Sequence, residues 1–172
     1  MYELVLKAKK GDKEAFTELI LQIEDDLYKI ARTRLNNQED IFDAIQETII
    51  SAYKSIGKLK KVEFFKTWII KILINKCNDV YKNIYELELD ERKLSEDYFN
   101  NSIIVLENDL DFEHIIKILN YDERIAMTLY YLEEYTTKEI GKILKTNENT
   151  IKTRIARARL KIKNNYKKGV KK

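Results

Sequence analysis

The residues best suited to chemistry lie in one basic, threonine-containing stretch near the C-terminal end. From Glu148 onward the chain has ten basic residues against one acidic residue. A local positive excess of this size attracts a polyanion, and a nucleic acid is the natural candidate. Seven side chains of the stretch are candidates for DNA contact: Thr150, Lys152, Thr153, Arg154, Arg157, Arg159 and Lys161.

Helical spacing divides this stretch into a buried side and an exposed side. The predicted buried stripe contains Ile151, Ile155, Ala158 and Ile162, and the predicted exposed face contains Thr150, Thr153, Arg154, Arg157 and Lys161. Side chains at the N-terminal end of a recognition helix reach base edges, and arginine can fork onto guanine. We therefore expect Thr150, Thr153, Arg154 and Arg157 to read bases, while the flanking Lys152, Arg159 and Lys163 suit phosphates. The alternative is a solvated basic helix without a partner.

The residues before this stretch predict a helix-turn-helix. Thr136 and Glu139 have the spacing of a capping box, which would begin a helix at residue 137. Gly141 costs helix stability relative to alanine unless close packing against a crossing helix needs a small residue there. The polar residues 146–149 then supply a turn, with Asn147 or Asn149 as the N-cap of the basic helix.

Composition and periodicity predict an all-α protein of two small helical domains joined by a linker. There is no proline and there are only four glycines, so few positions force a helix to break. Apolar periodicity predicts an N-terminal three-helix-type bundle with helices near 3–35, 39–56 and 64–82, with a break at Gly11 and Asp12 as an N-cap. A second, four-helix domain is predicted from helices near 112–119, 122–134, 138–144 and 149–164.

The charge along the chain changes at the same boundaries as the predicted domains and linker. Residues 1–83 carry 15 basic and 13 acidic residues, residues 84–113 carry 2 and 10, and residues 114–172 carry 15 and 6. We expect domains at 1–83 and 112–165, an acidic linker at 84–111 and a basic tail at 166–172.

The sequence gives little support for a metal site, a disulfide, an enzyme or a membrane span. The single cysteine, Cys77, and the single histidine, His114, fall short of a metal cluster or an internal disulfide. No nucleophile and base, and no phosphate-binding glycine loop, can be assembled, so we expect neither an enzyme nor a cofactor. No apolar run approaches the roughly 20 residues of a membrane span, and no export signal is evident, which favours the cytoplasm.

Two further polar groups stand out in the N-terminal domain. Asp43, Gln46 and Glu47 share one face of the second helix, away from the expected apolar stripe of Ile41, Ile45, Ile49, Ala52 and Ile56. The third helix carries a polar stripe that includes Thr67, Lys71 and Asn75, and Trp68 of the same helix is expected to be structural. On its own, the group of Asp43, Gln46 and Glu47 would be interpreted as a solvated face.

Several motifs resemble extracytoplasmic-function (ECF) sigma factors, a group within the sigma-70 family. The C-terminal motifs are YDER at residues 121–124, YTTKEIG at 135–141 and NTIKTRIARAR at 149–159. The N-terminal motifs are GDKEAF at 11–16, DAIQET at 43–48 and FKTWIIKILINKCND at 65–79. One departure is Asn120-Tyr121, where the family usually has Leu-Pro, which should alter only the start of that helix.

The resemblance implies that the chain directs RNA polymerase core enzyme to promoter DNA. Asp43, Gln46 and Glu47 would dock on the clamp helices of the largest polymerase subunit, and the C-terminal helix-turn-helix would read the −35 element. The −10 element would be recognised and melted by the loop at 57–63 and the third helix, through Lys58, Lys60, Lys61, Lys66, Thr67, Lys71 and Asn75. An anti-sigma factor is a further implied partner.

Three other classes remain as alternatives. An ordinary helix-turn-helix regulator would explain the C-terminal half and would bind palindromic DNA as a dimer. A protein-interaction bundle would lack salt-sensitive DNA affinity. An enzyme would need a constellation of reactive groups that the sequence does not provide.

Overall fold

The computed structural model describes residues 1–89 and 118–169, and the surroundings of the side chains within 1–82 and 118–166. Throughout these ranges the regular structure is helical, without a β-strand, which confirms the all-α prediction. The chain divides into two compact units, Met1–Tyr85 and Glu86–Lys172. None of the described helices is both long and apolar enough to cross a membrane.

The first unit is built from five α-helices and two short 3₁₀ turns. The helices are α1 (Tyr2–Lys9), α2 (Lys13–Leu21), α3 (Glu24–Arg32), α4 (Gln38–Ser55) and α5 (Phe65–Leu89). The 3₁₀ turns, Ile56–Lys58 and Val62–Phe64, lie between α4 and α5. Leu19, Ile30, Phe65, Ile69 and Leu73 are at most 1% exposed and form the centre of the core. Burial of these large side chains is the main stabilising contribution to the unit.

The segment predicted as one helix after Gly11 is two helices. Asp12 caps α2 as expected, since its side chain accepts a hydrogen bond from the Ala15 backbone N–H at 3.0 Å. The chain then leaves the helical path at Ile23, whose φ is −125° and ψ is 3°. Ile23 itself is 1% exposed. The turn lets both helices direct their apolar residues at one core, so the apolar period continues across it and hides the break.

The buried stripe of α4 differs from the one expected. Ile41 and Ala52 are buried as predicted, but Ile45 and Ile49 are half-buried, and Ala44 and Thr48 occupy the core side. Thr48 is tolerated there because its hydroxyl donates to the Ala44 carbonyl oxygen at 2.6 Å. Small residues at these positions allow α4 to approach its neighbours closely.

Helix α5 is longer than predicted. It continues to Leu89, six residues into the segment assigned to the linker. Residues 90–111 of that segment and most of the predicted helix at 112–119 lie outside the described residues. Trp68, expected to be structural, is half-buried and lies 6.0 Å from Phe65 between ring centroids.

The second unit contains three described helices around a small apolar centre. They are α6 (Tyr121–Tyr131), α7 (Thr137–Ile143) and α8 (Glu148–Gly169). Ile125, Leu129, Ile140 and Ile151 are each 0% exposed, so all three helices contribute to one core. Helix α8 extends beyond the predicted end at residue 164 into the basic tail.

Asn120 begins α6 in place of the family's Leu-Pro. Its side chain accepts from the Glu123 backbone N–H at 2.9 Å, and the Glu123 carboxylate accepts from the Asn120 backbone N–H at 3.1 Å. This capping box satisfies two groups that a helix N-terminus would otherwise leave unpaired.

Gly141→Ala should destabilise the helix-turn-helix, although alanine is the better helix former by about 1 kcal/mol. An added Cβ would lie 2.9 Å from the Thr146 carbonyl oxygen, which belongs to the turn backbone. The turn would have to shift, and overpacking of this kind costs about 1–3 kcal/mol. We expect faster native-state hydrogen exchange of the α8 amides in the full chain.

The matched control is Gly57→Ala, where the nearest atom to the added Cβ is the Lys9 carbonyl oxygen at 3.9 Å. This ordinary contact should leave exchange in α8 unchanged. Slower exchange in α8 of Gly141→Ala would contradict the steric account.

Candidate nucleic-acid interface

Helices α7 and α8 and the turn between them form the predicted helix-turn-helix. Thr136 begins α7 through the expected capping box, in which the Glu139 carboxylate accepts from the Thr136 backbone N–H at 3.0 Å. These hydrogen bonds, the one from the Thr136 hydroxyl first, lower the pKa of Glu139. Gly141 is closely approached as expected: an added Cβ would lie 2.9 Å from the turn carbonyl of Thr146 and 3.5 Å from the backbone nitrogen of Glu148, the first residue of α8. Lys145 takes a left-handed conformation, φ 52°, to reverse the chain.

The start of α8 is held by the turn itself. The Asn147 side chain accepts from the Asn149 backbone N–H at 2.8 Å, so Asn147 is the cap among the two predicted residues. Glu148 then accepts from the Thr137 hydroxyl at 3.0 Å and pairs with Lys152 at 2.9 Å. The hydrogen bonds from Lys152 and Thr137 lower the pKa of Glu148. The two helices of the motif are therefore joined by polar contacts as well as by apolar packing.

The buried stripe of α8 matches the predicted one closely. Ile151, Ile155 and Ala158 are at most 4% exposed, and Ile162 is half-buried. Opposite this stripe, α8 presents exposed side chains to solvent. Four predicted contact residues are among them: Thr150, Lys152, Thr153 and Arg157.

The other three predicted contact residues are engaged with α6. An Arg154 guanidinium nitrogen lies 2.6 Å from an Asp122 carboxylate oxygen, and the Arg154 side chain is only 23% exposed. Lys161 pairs with Glu123 at 2.7 Å. Arg159 donates from Nε to the Tyr131 hydroxyl at 2.6 Å and lies 5.4 Å from the centroid of that ring. The expected exposed face is thus narrower than predicted, because Arg154 turns toward α6.

Some exposed residues on the solvent side of α8, opposite the buried stripe, were missed by the sequence reasoning, among them Asn149, Ala156 and Leu160. Asn149 and Ala156 both lie on the solvent side of α8, among Thr153 and Arg157. Their positions follow from the 3.6-residue period, since they are far from the buried stripe around the helix. The predicted contact residues were chosen by residue type, which favoured arginine and lysine over residues that only share the exposed side of α8.

The acidic face of α4 is exposed in the first unit. Asp43, Gln46 and Glu47 all face solvent, and Glu47 lies 3.2 Å from Lys76 of α5. Asp40 lies one turn away, and its pKa is raised by burial and by the neighbouring charges of Asp43 and Glu39. The face is therefore rich in negative charge and suits a basic partner surface.

The loop before α5 carries three exposed lysines, Lys58, Lys60 and Lys61. Its backbone is held in place from α1, since Lys9 Nζ donates to the Leu59 carbonyl oxygen at 2.6 Å. Lys61 lies 5.7 Å from the centroid of the Phe64 ring, which is itself half exposed.

On α5 the predicted melting residues differ in accessibility. Asn75 is exposed, whereas Thr67 and Lys71 are half-buried. Lys66 is half-buried as well and pairs with Asp26 of α3 at 2.8 Å. The structure therefore brings the loop lysines and Asn75 to the surface, and it uses Lys66 in a contact between helices.

The thiol of Cys77 is buried in the core of the first unit. Burial raises its pKa to about 12, which keeps it protonated and unreactive at neutral pH. Among the described residues, no group of His, Cys, Asp and Glu side chains is arranged to hold a metal ion.

Comparison with known families identifies both units. The Sigma-70 region 2 model matches residues 19–83, and the Sigma-70, region 4 model matches residues 109–162. The second match contains α7, the turn and α8 as far as residue 162, and the first contains α4 and the loop before α5.

Curated relatives match nearly end to end. The ECF RNA polymerase sigma-E factor of Haemophilus influenzae is 30% identical, over 94% of this chain and 92% of the relative. The ECF RNA polymerase sigma factor SigW of Bacillus subtilis is also 30% identical, over 90% of each.

A solved structure shares the fold. The sigma factor RpoE of Bartonella quintana, determined in complex with the anti-sigma factor NepR, is 21% identical, with a TM-score of 0.71 over 88% of this chain and 96% of that chain. The end-to-end identity and the two family matches agree, and we conclude that the chain belongs to the ECF subfamily of sigma-70 RNA polymerase sigma factors, which direct the core polymerase to promoters and are not enzymes.

Proposed function

We propose that this sigma factor divides promoter recognition between its two units in the cytoplasm, where core polymerase and promoter DNA are found. Residues 112–165 read the −35 element, and residues 1–83 bind the polymerase and open the −10 element. The acidic segment 84–111 connects them, and the basic residues 166–172 form a tail. When one unit binds DNA, it raises the effective concentration of the other unit at the promoter. Either unit alone would therefore bind a promoter weakly.

The observation that carries the proposal is the outward face of α8. Thr153 and Arg157 are exposed directly opposite a buried stripe, near the N-terminal half of the helix. A capped helix of this kind fits the major groove, where arginine forks onto guanine and threonine bonds or contacts thymine. Exposed Lys152 and Thr150 suit phosphate or base contacts at the edge of the same face.

Polymerase docking is assigned to the exposed carboxylates and amide of α4, Asp43, Gln46 and Glu47. A negative face steers a protein toward a basic partner and fixes its register. The partner that the resemblance to the family implies for this face is the clamp helices of the largest polymerase subunit.

Melting is assigned to the loop lysines and to the polar side of α5. Exposed Lys58, Lys60 and Lys61 can follow the backbone of a displaced strand, and Asn75 lies on the exposed side of α5. The half-buried Thr67 and Lys71 and the paired Lys66 are secondary candidates in the same role.

An anti-sigma factor is the proposed regulator. Two solved structures of similar fold support this: the sigma factor RpoE in complex with the anti-sigma factor NepR, and CnrH in complex with the cytosolic domain of CnrY. CnrH has a TM-score of 0.69 and covers 96% of this chain. A partner of this kind would hold the sigma factor away from polymerase until it is released.

Runoff transcription from a library of upstream DNA tests the proposal directly. Core polymerase with this protein should produce new starts that share −35 and −10 sequences at a fixed spacing. Core polymerase alone should not produce these starts. DNA binding without initiation on a compatible core would instead support the ordinary helix-turn-helix regulator.

Arg157→Ala should weaken binding at particular base positions of the −35 element by about 1–3 kcal/mol, because a base contact is lost. The measurement is the affinity of the holoenzyme for a panel of single-base promoter variants. Lys163→Ala is the matched control, since Lys163 is an exposed cation farther along α8. It should reduce affinity evenly across the panel, and an equally even loss in Arg157→Ala would assign Arg157 to phosphate.

Glu47→Lys should weaken association with core polymerase at least tenfold, since like charges brought together at an interface cost several kcal/mol. The measurement is a titration of labelled core enzyme. Lys76→Ala is the control, because it breaks the same Glu47–Lys76 pair without placing positive charge on α4. Equal losses in the two variants would show that the pair maintains the unit and that Glu47 does not dock.

A further inference from the structure

The contacts of Arg154 separate it from the residues that face DNA. Its guanidinium is 2.6 Å from the Asp122 carboxylate, and its side chain is 23% exposed. Thr153 and Arg157, by contrast, are exposed on the outward side of α8. An arginine that reads a base must extend its planar fork into the groove, whereas this one is directed along the protein surface to α6.

A second ion pair repeats the arrangement. Lys161 follows Arg154 by seven residues, two helical turns, and so lies on the same side of α8. Its ammonium is 2.7 Å from the Glu123 carboxylate, which is only 4% exposed. Consecutive acids in the first turn of α6 therefore hold two cations of the recognition helix.

The position of these acids has an electrostatic reason. The N-terminus of a helix carries partial positive charge, which repels cations. Arg154 and Lys161 lie beside the first turn of α6, and Asp122 and Glu123 reverse the sign of the charge there. Without Asp122, the guanidinium of Arg154 would face an unfavourable field and leave the surface of α6.

Side chains of α8 contact both ends of α6, and these contacts determine how α8 is rotated about its own axis. Asp122 and Glu123 hold one end, and the Tyr131 hydroxyl accepts from Arg159 at 2.6 Å at the other. Side-chain atoms lie about 5–6 Å from a helix axis, so a rotation of about 20° moves them by about 2 Å. A base-specific hydrogen bond tolerates only a few tenths of an ångström. Small changes in the rotation of α8 would therefore abolish base readout.

From these contacts we infer that Arg154 is a positioning residue and not a base reader. It acts through Asp122, and the pair orients α8 so that Thr153 and Arg157 meet the base edges. This inference rests on the proposed function, in which α8 reads the −35 element. Asp122 becomes a determinant of promoter specificity although it need not touch DNA.

A double-mutant cycle in the holoenzyme tests the inference. The variants are Asp122→Asn, Arg154→Ala and the pair together, and the readout is the ratio of affinities for the selected promoter and for unrelated DNA. Each single variant should reduce this ratio about tenfold, and the double variant should be no worse than either, because coupled residues do not add. The loss should extend over all base positions read by α8.

The two competing roles give opposite results. If Arg154 read a base, Arg154→Ala would lose discrimination at one or two positions and Asp122→Asn would leave the ratio unchanged. If the acids and cations acted only through the charge of the surface, Asp122→Asn would strengthen binding to DNA, a polyanion, and Arg154→Ala would lower the salt dependence of binding. Either pattern would overturn the inference.

Conservative variants and a second pair complete the test. Asp122→Glu keeps the carboxylate and should restore most of the discrimination, which a loss of folding could not explain. Asp122→Asn combined with Arg157→Ala should lose little more discrimination than Asp122→Asn alone, since the base contact of Arg157 depends on the orientation that Asp122 sets. If the wild-type holoenzyme did not discriminate between the two DNAs at all, the proposed function would fail. Additivity of Asp122→Asn and Arg154→Ala in a discriminating holoenzyme would overturn only the positioning role.

Discussion

The carboxylate of Glu123 is the contact on which the arrangement of the second unit depends. It is almost fully buried, caps its own helix at the Asn120 backbone and binds Lys161 of α8 with the same oxygen. A buried charge is costly unless it is paired and hydrogen-bonded, and both conditions are met here. Helix initiation and helix orientation are thus joined at one side chain, so the start of α6 and the position of α8 form together.

The turn between α7 and α8 adds a steric constraint to this electrostatic one. The Thr146 carbonyl approaches Gly141 so closely that a side chain has no room, and the Asn147 cap then begins α8 at once. The short turn fixes where α8 begins, and the contacts with α6 fix how it is rotated. A recognition surface needs both, because base contacts demand position and direction together.

In the first unit, acidic and basic side chains are exposed on different elements. Helix α4 presents acids to solvent, and the loop before α5 presents lysines. The Lys76–Glu47 pair is a direct polar link from α5 to this acidic face. Exposed pairs of this kind contribute little stability, so the unit relies on its apolar core, and its surface charges are available for partners.

The sequence by itself determined the helical class, most helix positions, the caps at Asp12 and Thr136, and the buried stripe of α8, and it limited the cap of α8 to Asn147 or Asn149. These features are local, since they follow from residue type and spacing within a few turns. It did not reveal the break at Ile23, because apolar periodicity continues across a turn when both helices face one core. Only the tertiary structure decided that Thr48 is buried, that Lys66 joins two helices, and that Arg154 turns away from the exposed face to Asp122. Periodicity gives the direction of a side chain around its own helix, whereas its partner depends on which other helix lies beside it, and residues 32 positions apart along the chain meet only after folding.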